Sequence, residues 1–214
     1  MTISLEISKT AALFAEKRVE DLREKELTPN MMLRRRLTRN AKMLIFLADK
    51  LGVKNERIVY GSNYGELKES ISILENIFAH TPPSPTDFQN SVYNTPSAYY
   101  SILSGNTSEI LCVSNGDETG VSAIKTAAIK SLDGDEIFLV LCESFDIEEL
   151  RALNSCGAMC ESAVAFILKK SELAPDIYFD ALKPAKQFVP STAQLMSLHN
   201  FLQENPKAII GITC

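Results

Sequence analysis

Six consecutive apolar residues, Ile137-Phe138-Leu139-Val140-Leu141-Cys142, constrain the fold of this chain more than any other segment. A strand that is apolar at every position has no face to turn to water, so it must be covered on both sides. The Asp133-Gly134 turn precedes it. Before that turn, residues 117–131 read as a helix with Val121, Ile124, Ala128 and Ile129 on its apolar side. A buried strand fed by a helix is the unit of a layered α/β fold with a mixed sheet.

The rest of the chain repeats the alternation. Residues 3–7 alternate apolar and polar and predict a strand, and residues 10–26 have helical character. Thr28-Pro29 opens a second predicted helix, with Leu33, Leu37, Ala41, Leu44, Ala48 and Leu51 at helical spacing and Gly52 as its stop. Residues 58–60 predict a short strand. The loop Gly61-Ser62-Asn63-Tyr64-Gly65 leads to a helix bearing Leu67, Ile71, Leu74 and Phe78. Residues 81–86 hold three prolines and predict a loop. A helix is expected over 94–103, strands over 110–113, 163–168 and 177–182, a helix over 192–204 and a closing strand over 208–212. No linker interrupts the pattern, so residues 1–214 are expected to form one domain.

Charge and cysteine content exclude several functions. The net charge of −5 argues against general nucleic-acid binding. Five cysteines, two of them (Cys112 and Cys142) inside apolar runs, read as reduced thiols of a cytoplasmic protein. Cys156 and Cys160 have no second pair, and His80 and His199 are the only histidines, so neither a metal nor another cofactor is expected. There is no signal pattern at the N-terminus and no apolar run of membrane-spanning length.

The strand-to-helix turn Gly116-Asp117-Glu118-Thr119-Gly120 is the segment best suited to chemistry. Backbone N–H groups and a helix dipole converge at such a turn, where enzymes place a nucleophile and stabilise an oxyanion. Here it carries Asp117, which also suits a plain N-cap. Cys112 is expected to point into the core, and buried thiols without a cationic neighbour are inert. Arg34, Arg35, Arg36 and Arg39 form a basic cluster. It reads either as a solvated face, with ion pairs to Glu16, Glu20, Asp21 and Glu24, or as a surface that steers an acidic partner.

The segment Gly120-Val121-Ser122-Ala123-Ile124-Lys125-Thr126-Ala127, then Asp133-Gly134-Asp135-Glu136 and the apolar strand, resemble the nucleophile helix and following strand of β-ketoacyl synthases. In those enzymes a cysteine stands three residues before the glycine matched by Gly120, and Asp117 occupies that place. Arg34-Arg35-Arg36-Leu37-Thr38-Arg39 resembles an early basic helix motif of the same superfamily. Ser84-Pro85-Thr86-x-Phe88, Ser91-Val92-Tyr93-Asn94, Gly61-Ser62-x-x-Gly65-Glu66-Leu67 and Gly116-Asp117-Glu118-Thr119 resemble a narrower group. That group is the short β-ketoacyl synthase-like N-terminal domain family, which includes chain-length-factor-like subunits of aryl polyene and flexirubin-type pigment synthases. The likeness covers about residues 30–170. One departure is Tyr93, where the family usually has histidine.

The resemblance implies half of a thiolase-like fold. It also implies a non-catalytic partner that pairs with an active ketosynthase and helps shape the tunnel for the growing chain. Aspartate cannot form a thioester, and the two histidines that support condensation come from the second half of the ketosynthase fold. Residues 91–103 are then expected near the subunit interface, with Tyr93, Tyr99 and Tyr100 as large stiff contacts or as ordinary packing. Ser91, Asn94, Gly116 and Thr119 complete the interface and substrate candidates. Arg34, Arg35, Arg36 and Arg39 are the candidates for docking an acyl carrier protein. Two alternatives stay open: a stand-alone acyl-processing enzyme that uses Asp117, and a homodimeric acyl-binding scaffold.

Overall fold

The structure is a computed structural model and describes residues 1–145 and 159–214. The described strands form one mixed sheet in the order β3-β2-β4-β5-β1-β7-β6. They are β1 (Thr2–Ala15), β2 (Arg57–Gly61), β3 (Ile110–Val113), β4 (Ile137–Ser144), β5 (Glu161–Lys170), β6 (Ile177–Tyr178) and β7 (Ile209–Thr213). β2 is parallel to both β3 and β4, whereas β5 runs antiparallel to β4 and to β1.

The apolar run of β4 is buried on both faces, as its composition requires. Ile137, Leu139 and Leu141 join one core cluster, and Phe138, Val140 and Cys142 join the other. Over the first face lie α7 (Thr119–Lys130) and α8 (Pro190–Glu204), which bury Ala123, Ile124, Ala127, Leu195 and Leu198. Over the second lie α3 (Arg39–Leu51) and α6 (Thr95–Ser104), with Met43, Leu44, Leu47, Tyr99 and Tyr100. The helices α7 and α8 approach so closely that a Cβ on Gly120 would collide with the Ser191 carbonyl oxygen. The fold is therefore α/β, with helices layered on both sides of a mixed sheet.

Four expectations are corrected. Residues 10–15 are strand rather than helix, because Thr10 to Ala15 pair with β5 from Phe166 back to Glu161. Only one short helix, α1 (Glu24–Leu27), forms in the segment that read as helical. The helix expected from Thr28-Pro29 to Leu51 is two helices. The first, α2 (Met31–Arg36), is capped by Asn30, and Leu37 is extended (φ −64°, ψ 126°) before Thr38 caps α3 by accepting from Ala41 N. Strand β6 stops at Tyr178, and a 3-10 turn over Phe179–Ala181 replaces the rest of the expected strand. On α7, Ile129 is exposed, and Ala123 and Ala127 are buried instead.

Helices α4 (Leu67–Phe78) and α5 (Pro85–Asn90) pack mainly on each other, and α4 buries no residue completely. Leu74, Ile77, Phe78 and Phe88 are exposed on this arm. Among the described residues, no helix is long and apolar enough to cross a membrane.

Candidate functional site

The carboxyl ends of the parallel strands β2, β3 and β4 bring together the loops that the sequence singles out. After β3 the chain turns sharply. Gly116 adopts φ +56°, Glu118 N donates to Asn115 O (3.1 Å) and Thr119 N donates to Gly116 O (3.1 Å). The positive φ is a conformation that favours glycine. Thr119 is fully buried and closes the turn from inside. Its hydroxyl donates to Gly116 O (2.7 Å) and accepts from Asn115 N (2.9 Å).

Asp117 projects into solvent from the tip of this turn. It is not the N-cap that the sequence suggests: Glu118 holds that position, and no side chain caps α7. The reason is the Asn115–Thr119 bond, which fixes the turn so that the helix starts one residue later. Asp117 is thus displayed in solvent just before the start of α7.

Beside this turn, β2 leads into the loop from Gly61 to Gly65, which is wrapped around a buried carboxylate. Glu143, near the end of β4, accepts from Ser62 Oγ (3.0 Å), Asn63 N (2.6 Å), Tyr64 N (3.3 Å) and Ser191 Oγ (2.8 Å). Burial pushes its pKa up to about 7 against the pull of these donors. Its sequence signal was a carboxylate at the end of an otherwise apolar strand. A second buried carboxylate, Glu161, accepts from Arg39 Nε (2.6 Å), Arg39 Nη2 (2.8 Å) and Val19 N (2.7 Å).

The remaining candidates fall into distinct roles. Tyr93 is half-exposed, donates to Asn63 O (3.0 Å), and lays its ring against Gly65. Tyr99 and Tyr100 are core residues. Tyr99 OH donates to Asn90 Oδ1 (2.9 Å), and Tyr100 OH donates to Val53 O (3.3 Å). Ser91 Oγ donates to Phe88 O (3.0 Å), and Asn94 sits exposed at the start of α6. Cys112 is exposed rather than turned into the core, with Sγ 3.7 Å from Ser97 Oγ. Although the residue is exposed as a whole, packing around its Sγ partly desolvates the thiol and raises its pKa, so it is a poor thiolate. Cys142 is buried, as expected, and Cys156 lies outside the described residues.

The basic cluster divides. Arg34 donates to Thr28 O (2.7 Å), and Arg39 is committed to Glu161 and lies 3.8 Å from Glu24. Arg35 and Arg36 stay exposed on the rim of a cleft.

Among the described residues, strand β3 at the edge of the sheet pairs with β2 alone, and its four residues carry no charge. Helix α6 adjoins it through Ser97, and its Ile102 is 71% exposed. Such an edge is a template for another chain.

Comparison with known proteins gives a consistent picture. The family described as beta-ketoacyl synthase, N-terminal domain, matches residues 13–208. No protein of curated function matches the chain in sequence. Among solved structures, a ketosynthase in complex with its chain length factor from Xenorhabdus doucetiae superposes with a TM-score of 0.71 at 20% identity. That match covers 94% of this chain and 92% of the other. The ishigamide ketosynthase/chain length factor gives 0.63 at 12% identity, over 80% of this chain and 64% of that one. A β-ketoacyl synthase from Burkholderia phymatum gives 0.59 at 10% identity, over 79% and 60%.

Proposed function

The chain belongs to the β-ketoacyl synthase N-terminal domain family, and we propose that it is a non-catalytic, chain-length-factor-like partner of an active ketosynthase. The uncharged edge strand β3, paired with β2 alone among the described residues and adjoined by α6, which exposes Ile102, carries this reading. An uncharged edge strand is covered well by a second subunit of the same fold, whose own edge strand continues the sheet. The exposed Asp117 supports the non-catalytic half of the reading, because a carboxylate there cannot take an acyl chain as a thioester. The pathway assigned to it is aryl polyene or related pigment synthesis, on the resemblance of the sequence motifs alone.

In this role residues 1–214 act as one domain. Tyr93, Ser91 and Asn94 lie at the partner's side of the molecule. Gly116 and Thr119 shape the blind turn at the former nucleophile. Tyr99 and Tyr100 support the interface from beneath. An acidic acyl carrier protein approaches through Arg35 and Arg36, since Arg34 and Arg39 are engaged within the chain.

Introducing a charge at the edge tests the proposal. Ile102→Glu changes an exposed residue and should leave the thermal midpoint within about 2 °C of the parent, as surface substitutions usually do. It should weaken co-purification with a co-expressed candidate partner ketosynthase at least tenfold, or about 1.4 kcal/mol. Undiminished co-purification would place the partner elsewhere or remove it.

A further inference from the structure

Helices α4 and α5 form an arm that is lightly seated on the body. Ser72 Oγ on α4 donates to Asp87 Oδ2 on α5 (2.8 Å), and Thr81 Oγ1 donates to Asn76 Oδ1 (2.9 Å) in the segment between them. The two helices pack mainly on each other. α4 buries none of its residues fully, and α5 buries only Asn90. Elements with so little buried surface open at a lower free energy than the core.

The arm joins the body at two polar roots. At the far root, Asn90 Nδ2 donates to Arg36 O (3.1 Å) and Asn90 Oδ1 accepts from Tyr99 OH (2.9 Å). The near root is Gly65, at φ +59°, followed by Glu66 at the N-cap of α4, which makes no capping bond. Asn40 Nδ2 donates to Gly65 O (3.0 Å), which fixes the orientation of the Asn40 amide.

The near root is built around a proton. Asn40 and Glu66 are both buried, and Thr38 and Asn40 are the side chains that hydrogen-bond with the Glu66 carboxyl. An ionised Glu66 only accepts, and Asn40 Oδ1 and Glu66 Oε1 are then two buried acceptors with no donor. One proton on Glu66 turns an acceptor into a donor and answers both atoms. The ionisable groups that face this carboxyl are Glu69 on α4, with Asp87 on α5 beyond it, Glu143 and Cys142 on β4, Tyr60 on β2 and Tyr99 on α6. None of them carries a positive charge. Among the described residues no cation pairs with Glu66: Arg39 and Lys42 of α3 are committed to Glu161 and Glu24, and Arg18, Arg35, Arg36 and Lys68, on the rim of the neighbouring cleft, form no ion pair.

We propose that the α4–α5 arm is a hinged unit held in its seat by a proton that Glu66 donates to Asn40, and that loss of this proton as the pH rises loosens the arm. Burial, then the charge of Glu69, raises the Glu66 pKa to about 8 in the seated arm, whereas in water the carboxyl has its ordinary value of 4.5. Opening therefore releases a proton throughout that interval and becomes easier as the pH rises through it, with no further change above about 8. The arm carries the exposed Leu74, Ile77, Phe78 and Phe88, so the pH sets how firmly this apolar surface is held against the body. The device stands whether or not a ketosynthase binds the sheet edge.

Hydrogen–deuterium exchange of the full chain, read by mass spectrometry from about pH 5 to about pH 9 and corrected for the intrinsic exchange rate, tests it. Protection of residues 67–90 should fall by up to about tenfold per pH unit to about pH 8 and then level off. At about pH 8 these amides should exchange at least about tenfold faster than those of β4. Glu66→Gln supplies an amide N–H in place of the acid proton and should make the protection of the arm independent of pH. Glu75→Gln, at an exposed carboxylate of α4, should keep the parent's profile. Arm protection that is flat in the parent, or that keeps its slope in Glu66→Gln, would overturn the proton latch. Arm amides that exchange in step with β4 would overturn the hinge.

Discussion

The carboxylates at the carboxyl ends of the parallel strands differ by environment alone. Asp117 stands in water at a turn tip, whereas Glu143 is enclosed by four donors. Removing the enclosed group strands those donors, so Glu143→Ala should destabilise the fold by about 3 kcal/mol in urea titrations. Glu66 has fewer partners, and burial followed by the nearby Glu69 raises its pKa from 4.5 to about 8. The folded state therefore holds a proton that the unfolded chain releases. Stability from this group is complete below the ordinary carboxylate value and declines as pH rises through the window from 4.5 to about 8. The decline is at most about 1.4 kcal/mol per pH unit for each such group. Glu143 adds to it up to about 7. Glu66→Gln cannot titrate, so its urea midpoints between about pH 5 and 7 should fall with roughly half the parent's slope. A slope identical to the parent's would show that Glu66 is ionised in the fold. Neither buried carboxylate was legible as such, since burial of a glutamate follows from which loop closes over it. Only the position of Glu143 at the end of an apolar strand hinted at it.

At the scale of elements, local periodicity read the inner strands and most helices correctly and failed where a long-range ladder decided. The runs 58–60 within β2, 110–113 forming β3 and 137–142 within β4 are apolar throughout. In β1 the residues from Thr10 onward suit a helix as well as a strand, and pairing with β5 settles the matter. That pairing carries a bulge between Ile7 and Lys9. Ile3, Leu5 and Ile7 enter the core on the α7–α8 side, while Ala11 and Leu13 enter the opposite one. One extra residue thus lets a single strand serve both layers. Deleting Ser8 should force one half of β1 to the wrong face. At about 1.5–3 kcal/mol for each misplaced aliphatic side chain, the loss exceeds what a domain of this size can absorb. Loss of the cooperative unfolding transition is expected, and a deletion variant that unfolds cooperatively near the parent's midpoint would show that the bulge is dispensable. The break between α2 and α3 has a similar origin. Leu33, Leu37 and Ala41 keep helical spacing, but Thr38 uses its hydroxyl as a cap, and Leu37 reaches the core from an extended backbone.

For the whole molecule, the order of strands and helices gave the layered class directly, and the short motifs around Gly120 and the arginines pointed to the family that the match over residues 13–208 establishes. What the sequence could not supply was the way surfaces are distributed. Tyr99 and Tyr100 belong to the core, whereas Ile102, Phe88 and Val92 are among the exposed apolar side chains. Among the described residues β3 has no outer neighbour and the arm formed by α4 and α5 exposes apolar side chains, and these are the surfaces the proposed partner would cover. The most direct test of the proposed partner role is a condensation assay on the chain co-expressed with a candidate partner ketosynthase, run alongside the chain alone and with Asp117→Asn. Activity is expected only in the pair, abolished by loss of the partner's nucleophilic cysteine and unchanged by Asp117→Asn. Turnover by the chain alone that disappears with Asp117→Asn would make it an enzyme in its own right and contradict the partner role.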